Sequence, residues 1–296
     1  MSTPATHRGI IVGVDGSPAA KVAVDWAARD AAMRKVPLAV VNVVNPPAGH
    51  TFPKNLIPLE YMRWQEDEGR TVLNDALKTV EDSAKQLGPI NVRGELMTGL
   101  AVPILGELSK DAEMVVVGCR GRGALARTLL GSVSTGLVHH AHCPVAVIPD
   151  QDPLMPHPSQ APILVGIDGS RASESAIAIA FDEASWRGVE LIALHAWSDT
   201  AMYEFRVPDW SQVRSDAEEL LAERLAGWEE RYSDVNVCRV VECDQPARQL
   251  LEQSKSAQLV VVGSHGRGGF TGMLLGSVST AVVHAARTPV IVARQR

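Results

Sequence analysis

The sequence lacks the features that define several common protein classes. Its 296 residues include no apolar run close to the roughly 20 residues that a membrane-spanning helix needs. The opening residues, MSTPATHRG, contain no apolar signal core, so we expect a cytoplasmic protein without a membrane span. The net charge of −6 argues against a general affinity for nucleic acid, because that affinity comes from a basic surface. Any anion site in this chain must therefore be local.

Four cysteines occur, and their spacing does not fit a metal site. No two of them form a CxxC pair, and no histidine cluster accompanies Cys238 and Cys243. Zinc binding is therefore not expected, and buried or incidental thiols are the better interpretation. Cys119 lies within a glycine-rich loop, where it is either a redox-sensitive thiol or a tolerated small residue.

The motifs of several enzyme classes are missing as well. There is no Gly-x-x-x-x-Gly-Lys-Ser/Thr loop, which excludes a P-loop NTPase. No Gly-x-Gly-x-x-Gly follows the first predicted strand, which argues against a dinucleotide-binding dehydrogenase. A zinc-hydrolase helix and a Gly-x-Ser-x-Gly elbow are also absent. His139, His140 and His284 have no matched acid or nucleophile, so we expect no catalytic residue.

The chain does contain an internal repeat. The segment IIVGVDGS at residues 10–17 returns as ILVGIDGS at residues 163–170, an offset of 153 (168 − 15). A glycine-rich loop at residues 118–132 returns at residues 263–277, an offset of 145 (263 − 118), and both copies read Gly-x2-Gly-x9-Gly-Ser. One duplicated domain therefore accounts for the chain. The expected divisions are a first domain at residues 1–149, a Pro-rich linker at 150–162 and a second domain at 163–296.

Within each copy, apolar runs alternate with amphipathic stretches, which indicates βαβ units and a parallel sheet. In the first half the pattern predicts strands at residues 10–14, 38–44, 90–97, 114–117 and 145–148, with helices at 18–34, 62–86, 102–110 and 133–141. In the second half it predicts strands at residues 163–167, 191–196, 235–241, 259–262 and 290–293, with helices at 171–187, 212–231, 247–256 and 278–286. The eight residues (153 − 145) lost from the second copy are expected to fall in the Pro-rich segment at residues 46–58.

Each copy carries an aspartate at the end of its first strand. Asp15 and Asp168 stand directly before a Gly-Ser pair, at the carboxyl edge of the predicted sheet, where ligands bind in this architecture. One interpretation is that the carboxylate holds a ribose hydroxyl or a metal-bound phosphate. The alternative is a cap on the following helix. We favour the ligand role, because Ser17 and Ser170 already fit the cap position.

The two glycine-rich loops indicate phosphate binding. Each follows a short apolar strand and precedes a predicted helix, so backbone amides and the helix dipole favour a negative charge there. A single Gly-x-x-Gly is an ordinary turn, but two copies with the same nine-residue gap are not explained by turns alone. The residues assigned to phosphate by this pattern are Gly118, Gly121, Gly131 and Ser132, with Gly263, Gly266, Gly276 and Ser277. The hypothesis is a chain of two nucleotide-binding modules.

Basic residues accompany both loops. Arg122 and Arg267 occupy matched positions, and they either supply charge to a terminal phosphate or remain solvated at the surface. Arg120 in the first loop is matched by His265 in the second. We expect His265 to contact the ligand rather than to perform chemistry.

The V-G-x-D-G-S first strand, together with G-x2-G-x9-G-S before the fourth helix, resembles the universal stress protein family. The resemblance covers almost the whole chain as two tandem domains, and the arrangement is similar to that of tandem-domain mycobacterial and actinobacterial members. It implies two open α/β domains of the adenine nucleotide α-hydrolase type, each with a five-stranded parallel sheet in the order 3-2-1-4-5. It also implies ATP binding in members that keep the glycine motif, and pairing of domains through their fifth strands.

The resemblance extends the candidate site by matching position. In the first half it implies an ATP site formed by Gly13, Val14, Asp15, Val43, Gly118, Arg120, Gly121, Arg122, Gly131, Ser132 and Val133. In the second half the matching residues are Gly166, Ile167, Asp168, Ala196, Gly263, His265, Gly266, Arg267, Gly276, Ser277 and Val278. Two positions depart from the family pattern: Cys119 replaces a serine, and Ala196 replaces a bulkier residue. The second departure predicts looser adenine packing, and hence unequal affinities.

Together these features predict a cytoplasmic stress-response protein that binds one ATP in each domain, with Mg²⁺. The aspartates Asp15 and Asp168 lie where a carboxylate would approach the metal ion. A slow ATPase that uses the same sites is the alternative, and a scaffold with degenerate sites is a third class that the intact motifs disfavour. The expected partners are ATP and an unidentified regulatory protein. We also expect either a homodimer or pairing of domains within one chain through the fifth-strand edges.

Overall fold

A computed structural model describes residues 8–45, 59–121, 130–150, 160–197, 210–266 and 275–294. The chain divides into two compact units, Met1–Asp150 and Gln151–Arg296. Within the described ranges, no helix combines the length and the apolar character that crossing a membrane requires.

The first unit alternates strands and helices, as the apolar pattern predicts. Its elements in chain order are β1 (Ile10–Val14), α1 (Pro18–Arg34), β2 (Leu38–Val44), α2 (Leu59–Leu87), β3 (Val92–Thr98), α3 (Ala101–Leu108), β4 (Met114–Gly118), α4 (Ser132–His140) and β5 (Val145–Ile148). The strands pair in the order β3-β2-β1-β4-β5, and every pair is parallel. The strand order 3-2-1-4-5 is therefore confirmed.

The second unit repeats the same path. Its elements are β6 (Ile163–Gly166), α5 (Arg171–Arg187), β7 (Leu191–Trp197), α6 (Trp210–Arg231), β8 (Val237–Cys243), α7 (Pro246–Gln253), β9 (Leu259–Gly263), α8 (Ser277–Ala285) and β10 (Val290–Ala293). The strand order is β8-β7-β6-β9-β10, again with parallel pairs. Both units therefore have the α/β fold that the sequence predicts.

The central strands form the core of each unit. Ile10, Ile11 and Val12 of β1 are fully buried, as are Ile163 and Leu164 of β6. A continuous run of β-branched and other apolar residues suits a parallel strand that is covered on both faces. Burial of such side chains supplies the main favourable term in folding.

The first helix of each unit begins at a serine cap. The Ser17 hydroxyl accepts a hydrogen bond from the Ala20 amide at 3.2 Å, and Pro18 stands in the first helical turn. The Ser170 hydroxyl likewise accepts from the Ser173 amide at 3.2 Å. These contacts fix where the two helices start, because the cap satisfies an amide that has no partner inside the helix.

Two strands begin later than the sequence pattern predicts. β3 starts at Val92 rather than at residue 90, and β8 starts at Val237 rather than at residue 235. Each strand pairs with a neighbour whose first residue stands opposite, Leu38 for Val92 and Leu191 for Val237. A strand has no ladder to join beyond the end of its partner, so the pairing sets its first residue.

The predicted position of the length difference between the two halves, the Pro-rich segment at residues 46–58, lies outside the described residues and stays a prediction. The helices that follow are described over 29 residues in α2 and over 22 residues in α6.

Candidate functional site

A cleft opens at the carboxyl edge of the sheet in the first unit, where β1 and β4 end. Its cavity volume is about 250 Å³. The residues that line it are Gly13, Val14, Asp15, Ala20, Val41, Val43, Ala101, Leu105, Val117, Gly118, Arg120, Gly121, Gly131, Ser132, Val133 and Ser134. This is the edge at which open parallel sheets bind ligands.

The second unit has a cleft at the matching position, with a cavity volume of about 400 Å³. Its lining is formed by Gly166, Ile167, Asp168, Ser173, Leu194, Ala196, Pro246, Leu250, Val262, Gly263, His265, Gly266, Gly276, Ser277, Val278 and Ser279. One difference in the lining is Ala196, which stands where the first cleft has the larger Val43.

The structure places all the described candidate residues around these two clefts. Arg122 and Arg267 lie outside the described residues, so their position is not part of the site geometry. Six further positions in each half line the clefts without having been predicted from the sequence. In the first cleft they are Ala20, Val41, Ala101, Leu105, Val117 and Ser134, and in the second Ser173, Leu194, Pro246, Leu250, Val262 and Ser279. Each pair is related by one of the two repeat offsets, but the same offsets also relate core residues, so the repeat alone does not separate lining from core.

The aspartate that ends the first strand faces the glycine loop. Asp15 Oδ1 accepts a hydrogen bond from the Ser17 amide at 2.9 Å. Asp168 Oδ1 accepts from the Ser170 amide at the same distance. The helix cap itself belongs to the serine and not to the aspartate. One carboxylate oxygen is therefore fixed by backbone, which orients the other toward the cleft.

The ends of each glycine loop are joined by backbone hydrogen bonds. In the first unit the Gly131 amide donates to the Cys119 carbonyl at 2.8 Å, and in the second the Gly276 amide donates to the Ser264 carbonyl at 2.7 Å. The amide of Cys119 also donates to the Ile148 carbonyl at 2.7 Å. These bonds hold the start of the loop beside its end, so the strand and the following helix present one continuous rim.

The helix cap is tied to the same rim. The Ser17 hydroxyl lies 3.3 Å from the Arg120 carbonyl and donates to it, and the Ser170 hydroxyl donates to the His265 carbonyl at 3.2 Å. Each serine thus connects the start of the first helix with the loop after the fourth strand. The wall that carries the aspartate and the wall that carries the glycines are therefore joined by a hydrogen bond in each unit.

Helix α4 starts at this rim and directs its N-terminus into the first cleft. Ser132 is its first residue, and no side chain caps it at Gly131. Helix α8 begins in the same way at Ser277, after Gly276. The first amides of a helix have no partner within it, and they carry the positive end of the helix dipole. The rim can therefore hold an anion.

The glycines of the motif serve two different purposes. A Cβ atom at Gly118 would lie 2.7 Å from the carbonyl carbon of Ala19, and one at Gly263 would lie 2.8 Å from that of Ala172. These glycines therefore permit close packing of a strand end against the first helix. Close packing is thus a reason for glycine at these positions that does not depend on a ligand, and their assignment to phosphate stays a prediction.

The second glycine of each motif faces the aspartate instead. A Cβ atom at Gly121 would lie 2.6 Å from Asp15 Oδ2, and one at Gly266 would lie 2.5 Å from Asp168 Oδ2. The missing side chain leaves the carboxylate room to point into the cleft. The aspartate carboxylate therefore lies directly beside the second glycine of the loop in each cleft.

A buried polar residue on the second strand supports the strand end that carries the aspartate. Asn42 Nδ2 donates to the Val14 carbonyl at 2.7 Å. His195 occupies the matching position, and its Nδ1 lies 2.7 Å from the Ile167 carbonyl. Because a carbonyl only accepts, the hydrogen is on Nδ1 in that histidine. Two chemically different side chains thus fix the same backbone oxygen, next to the cleft in both halves.

The charge in the two clefts differs. Arg120 lines the first cleft, and its guanidinium binds Asp150 at 2.7 Å. A hydrogen bond with the Cys119 side chain, followed by the charge of Asp150, raises the pKa of Arg120 above its ordinary value, so the group stays cationic. In the second cleft His265 takes the place of the arginine, with its Nδ1 3.1 Å from Ser264 Oγ.

The protein is therefore of the class built from open-sheet α/β domains. It has two matched domains, each with a glycine-rich loop and a helix N-terminus at the carboxyl edge of its sheet. A model of the universal stress protein family matches residues 6–149 and 161–294. Universal stress protein Rv2623 of Mycobacterium tuberculosis is 57% identical over 295 residues, covering 100% of this chain and 99% of that protein. The protein named Rv2005c from the same species is 58% identical over 295 residues, with both chains covered fully.

The fold is also similar to that of solved universal stress protein structures. A universal stress protein from Archaeoglobus fulgidus superposes with a TM-score of 0.72 at 21% identity, covering 98% of this chain and 100% of the other. The chain belongs to the universal stress protein family, and it carries two domains of that family in tandem.

Proposed function

We propose that this chain is an ATP-binding regulatory protein with one nucleotide site in each domain. The observation that carries the proposal is the matched cleft, in which an aspartate and a glycine loop face each other at the N-terminus of a helix. Duplication kept this arrangement while it changed much of the surrounding lining. Retention of the polar geometry at both sites favours a ligand that both domains share.

The chemistry of the lining suits a nucleotide. Apolar side chains such as Leu105 and Val43 in the first cleft offer a surface for a planar base. The amides at the start of α4 and the glycine loop suit phosphate, because they combine hydrogen-bond donors with the positive end of a helix dipole. Asp15 lines the same cleft beside Gly121, where a ribose hydroxyl or a metal ion would approach its carboxylate.

Magnesium would be held mainly by the phosphates. Within the described ranges, no group of three or more His, Cys, Asp or Glu side chains is placed to hold a metal ion. Mg²⁺ commonly binds through one or two carboxylates together with substrate phosphates and water, so a single aspartate in each cleft fits its needs. Asp15 and Asp168 are the residues that would contribute this carboxylate.

Holding ATP is favoured over cleaving it. The aspartate is the carboxylate that lines each cleft, and one of its oxygens is already fixed by a backbone amide. Backbone amides and a helix N-terminus suffice to bind phosphate, whereas cleavage also needs a base placed against an attacking water. A slow ATPase is the second candidate, supported by the same aspartate.

Incubation of the purified chain with ATP and magnesium separates the two candidates. We expect ATP to remain bound and intact for hours, with no steady release of phosphate above that of a protein-free control. Asp15→Asn and Asp168→Asn should weaken binding in their own halves without changing the release of phosphate. Steady turnover that is abolished by the double variant would instead establish the ATPase.

The same incubation tests which nucleotide the clefts prefer. Cyclic AMP is included as a competitor, because another universal stress protein has been solved in complex with it. We expect ATP to be retained in the presence of an equal concentration of cyclic AMP, since the helix N-terminus favours the additional phosphate charge. Displacement of ATP by cyclic AMP would point to a cyclic nucleotide as the ligand.

Three parts of the sequence-based account stay predictions. They are a cytoplasmic location, an unidentified regulatory protein as partner, and pairing through the fifth-strand edges as a homodimer or within one chain. ATP binding at either site would be compatible with each of them.

A further inference from the structure

An ion pair stands at the rim of the first cleft. Arg120 Nη2 lies 2.7 Å from Asp150 Oδ1, and the two side chains are 18% and 31% exposed. Arg120 follows β4 and Asp150 follows β5, so both groups belong to the carboxyl edge of the sheet. Arg120 is also part of the cleft lining. The cation that stands beside the expected phosphate position therefore already has an acidic partner.

The second half does not repeat this pair. The residue matched to Arg120 is His265, and the residue matched to Asp150 is Gln295 (150 + 145). Both charges of the pair are thus specific to the first half, whereas Asp15 and the glycine motif occur in both. A contact that the core of the fold requires would be expected in both copies, so the ion pair is a property of the first cleft.

The pair is suited to exchange with another anion. A partly exposed ion pair contributes little to stability, because solvent screens it and both side chains must be held still. A guanidinium has five N–H donors in a planar fork and binds phosphate in two-pronged geometry, which strengthens the contact beyond that of a single carboxylate oxygen. A phosphate that enters the cleft can therefore compete with Asp150 for Arg120.

We propose that Asp150 is a specificity-determining residue of the first site, whose carboxylate competes with nucleotide phosphate for Arg120. The inference rests on the proposed function. With Asp150 in place, the charge of Arg120 is offset before a ligand arrives, and each additional phosphate charge meets a nearby carboxylate. The first site therefore discriminates less strongly between nucleotides of different phosphate number than Arg120 alone would dictate.

The test uses the full chain and reads each site separately. Hydrogen exchange of peptides that cover Ser132–His140 and Ser277–Ala285 is followed while ATP, AMP or adenosine is added with magnesium. For Asp150→Asn we expect about a threefold to tenfold gain in ATP affinity at the first site, a smaller gain for AMP and none for adenosine. The second site should be unchanged. Asp111→Asn is the matched control, because it removes the same charge from the short helix Ser109–Asp111 that precedes β4, at the opposite edge of the same sheet.

A second arm tests the route through Arg120. In an Arg120→Ala background, the gain from Asp150→Asn should shrink, because there is no longer a guanidinium to release. An unchanged or lower ATP affinity of Asp150→Asn at the first site would overturn the inference. So would a gain that Asp111→Asn reproduces, or one that persists at full size without Arg120. If no variant and no parent chain shows protection by ATP or adenosine at either site, the proposed function falls, and the inference falls with it.

Discussion

Replacement of Gly118 with alanine is expected to destabilise the first domain by about 1 to 3 kcal/mol, the usual cost of forcing atoms into a well-packed site. The added Cβ would lie 2.7 Å from the Ala19 carbonyl carbon and 2.9 Å from its Cβ. Because the opposing atoms include backbone at the start of α1, the clash is relieved only if the helix moves. Gly263→Ala should act in the same way on the second domain, where the opposing residue is Ala172.

The comparison needs a substitution that adds the same methyl group without a clash. Gly106 lies in α3, and the nearest atom to its added Cβ is 4.0 Å away; Gly227 lies in α6 with nothing within 4 Å. Alanine at either position should be neutral or stabilising by up to about 1 kcal/mol, since glycine is unfavourable within helices. Denaturant-dependent hydrogen exchange of β4 and β9 measures the two domains separately. Equal stability of Gly118→Ala and Gly106→Ala would show that the packing interpretation is wrong.

Alanine at Gly121 is expected to lower nucleotide affinity in the first site by about tenfold or more, which corresponds to about 1.4 kcal/mol. Its Cβ would lie 2.6 Å from Asp15 Oδ2, and Gly266→Ala brings a Cβ to 2.5 Å from Asp168 Oδ2. The opposing atom here is the end of a side chain, which can rotate away. The fold should therefore survive, while the carboxylate loses its position in the cleft.

Alanine at the two glycine positions should therefore change different quantities, stability at one and ATP affinity at the other. Gly118→Ala should act mainly on stability, whereas Gly121→Ala should act mainly on binding. Calorimetric titration with ATP and magnesium, together with thermal unfolding of the same samples, separates the two quantities. Gly121→Ala that binds ATP as the parent chain does would remove Asp15 from the site, and Gly106→Ala serves as the control within the same domain.

The fold follows from local features that the sequence displays directly. The buried run in β1 and the Ser17 cap of α1 indicate where the strand lies and where the helix begins, and the matching run in β6 and the Ser170 cap of α5 do the same in the second half. The local sequence does not predict the first residue of a strand where pairing with a neighbouring strand sets it. β3 and β8 begin where their partner strands begin.

The candidate site was predictable in its polar part and less so in its apolar part. Asp15 and the glycines stand out because both halves keep them, and the structure brings them together around one cleft. Leu105 and Leu250 also line the clefts, but a leucine on a helix is indistinguishable from core by its type alone. Their placement depends on how the third helix of each unit packs against the sheet.

The role of Gly118 was not readable from the sequence for the same reason. The sequence does not distinguish a glycine that approaches phosphate from one that packs tightly against a helix. The opposing residue, Ala19, is almost a hundred positions earlier in the chain. The support from Asn42 and His195 was likewise hidden, because an amide and an imidazole share no sequence pattern. Only the geometry shows that both bind the carbonyl at the end of the first strand.

Whether each domain holds ATP is tested by the identity and amount of nucleotide that the chain retains. Purified protein is incubated with ATP and magnesium, freed of unbound ligand and denatured, and the released nucleotide is identified by mass and quantified. We expect intact ATP, one molecule for each of the two domains. Release of no nucleotide, even at saturating ATP and magnesium, would contradict it.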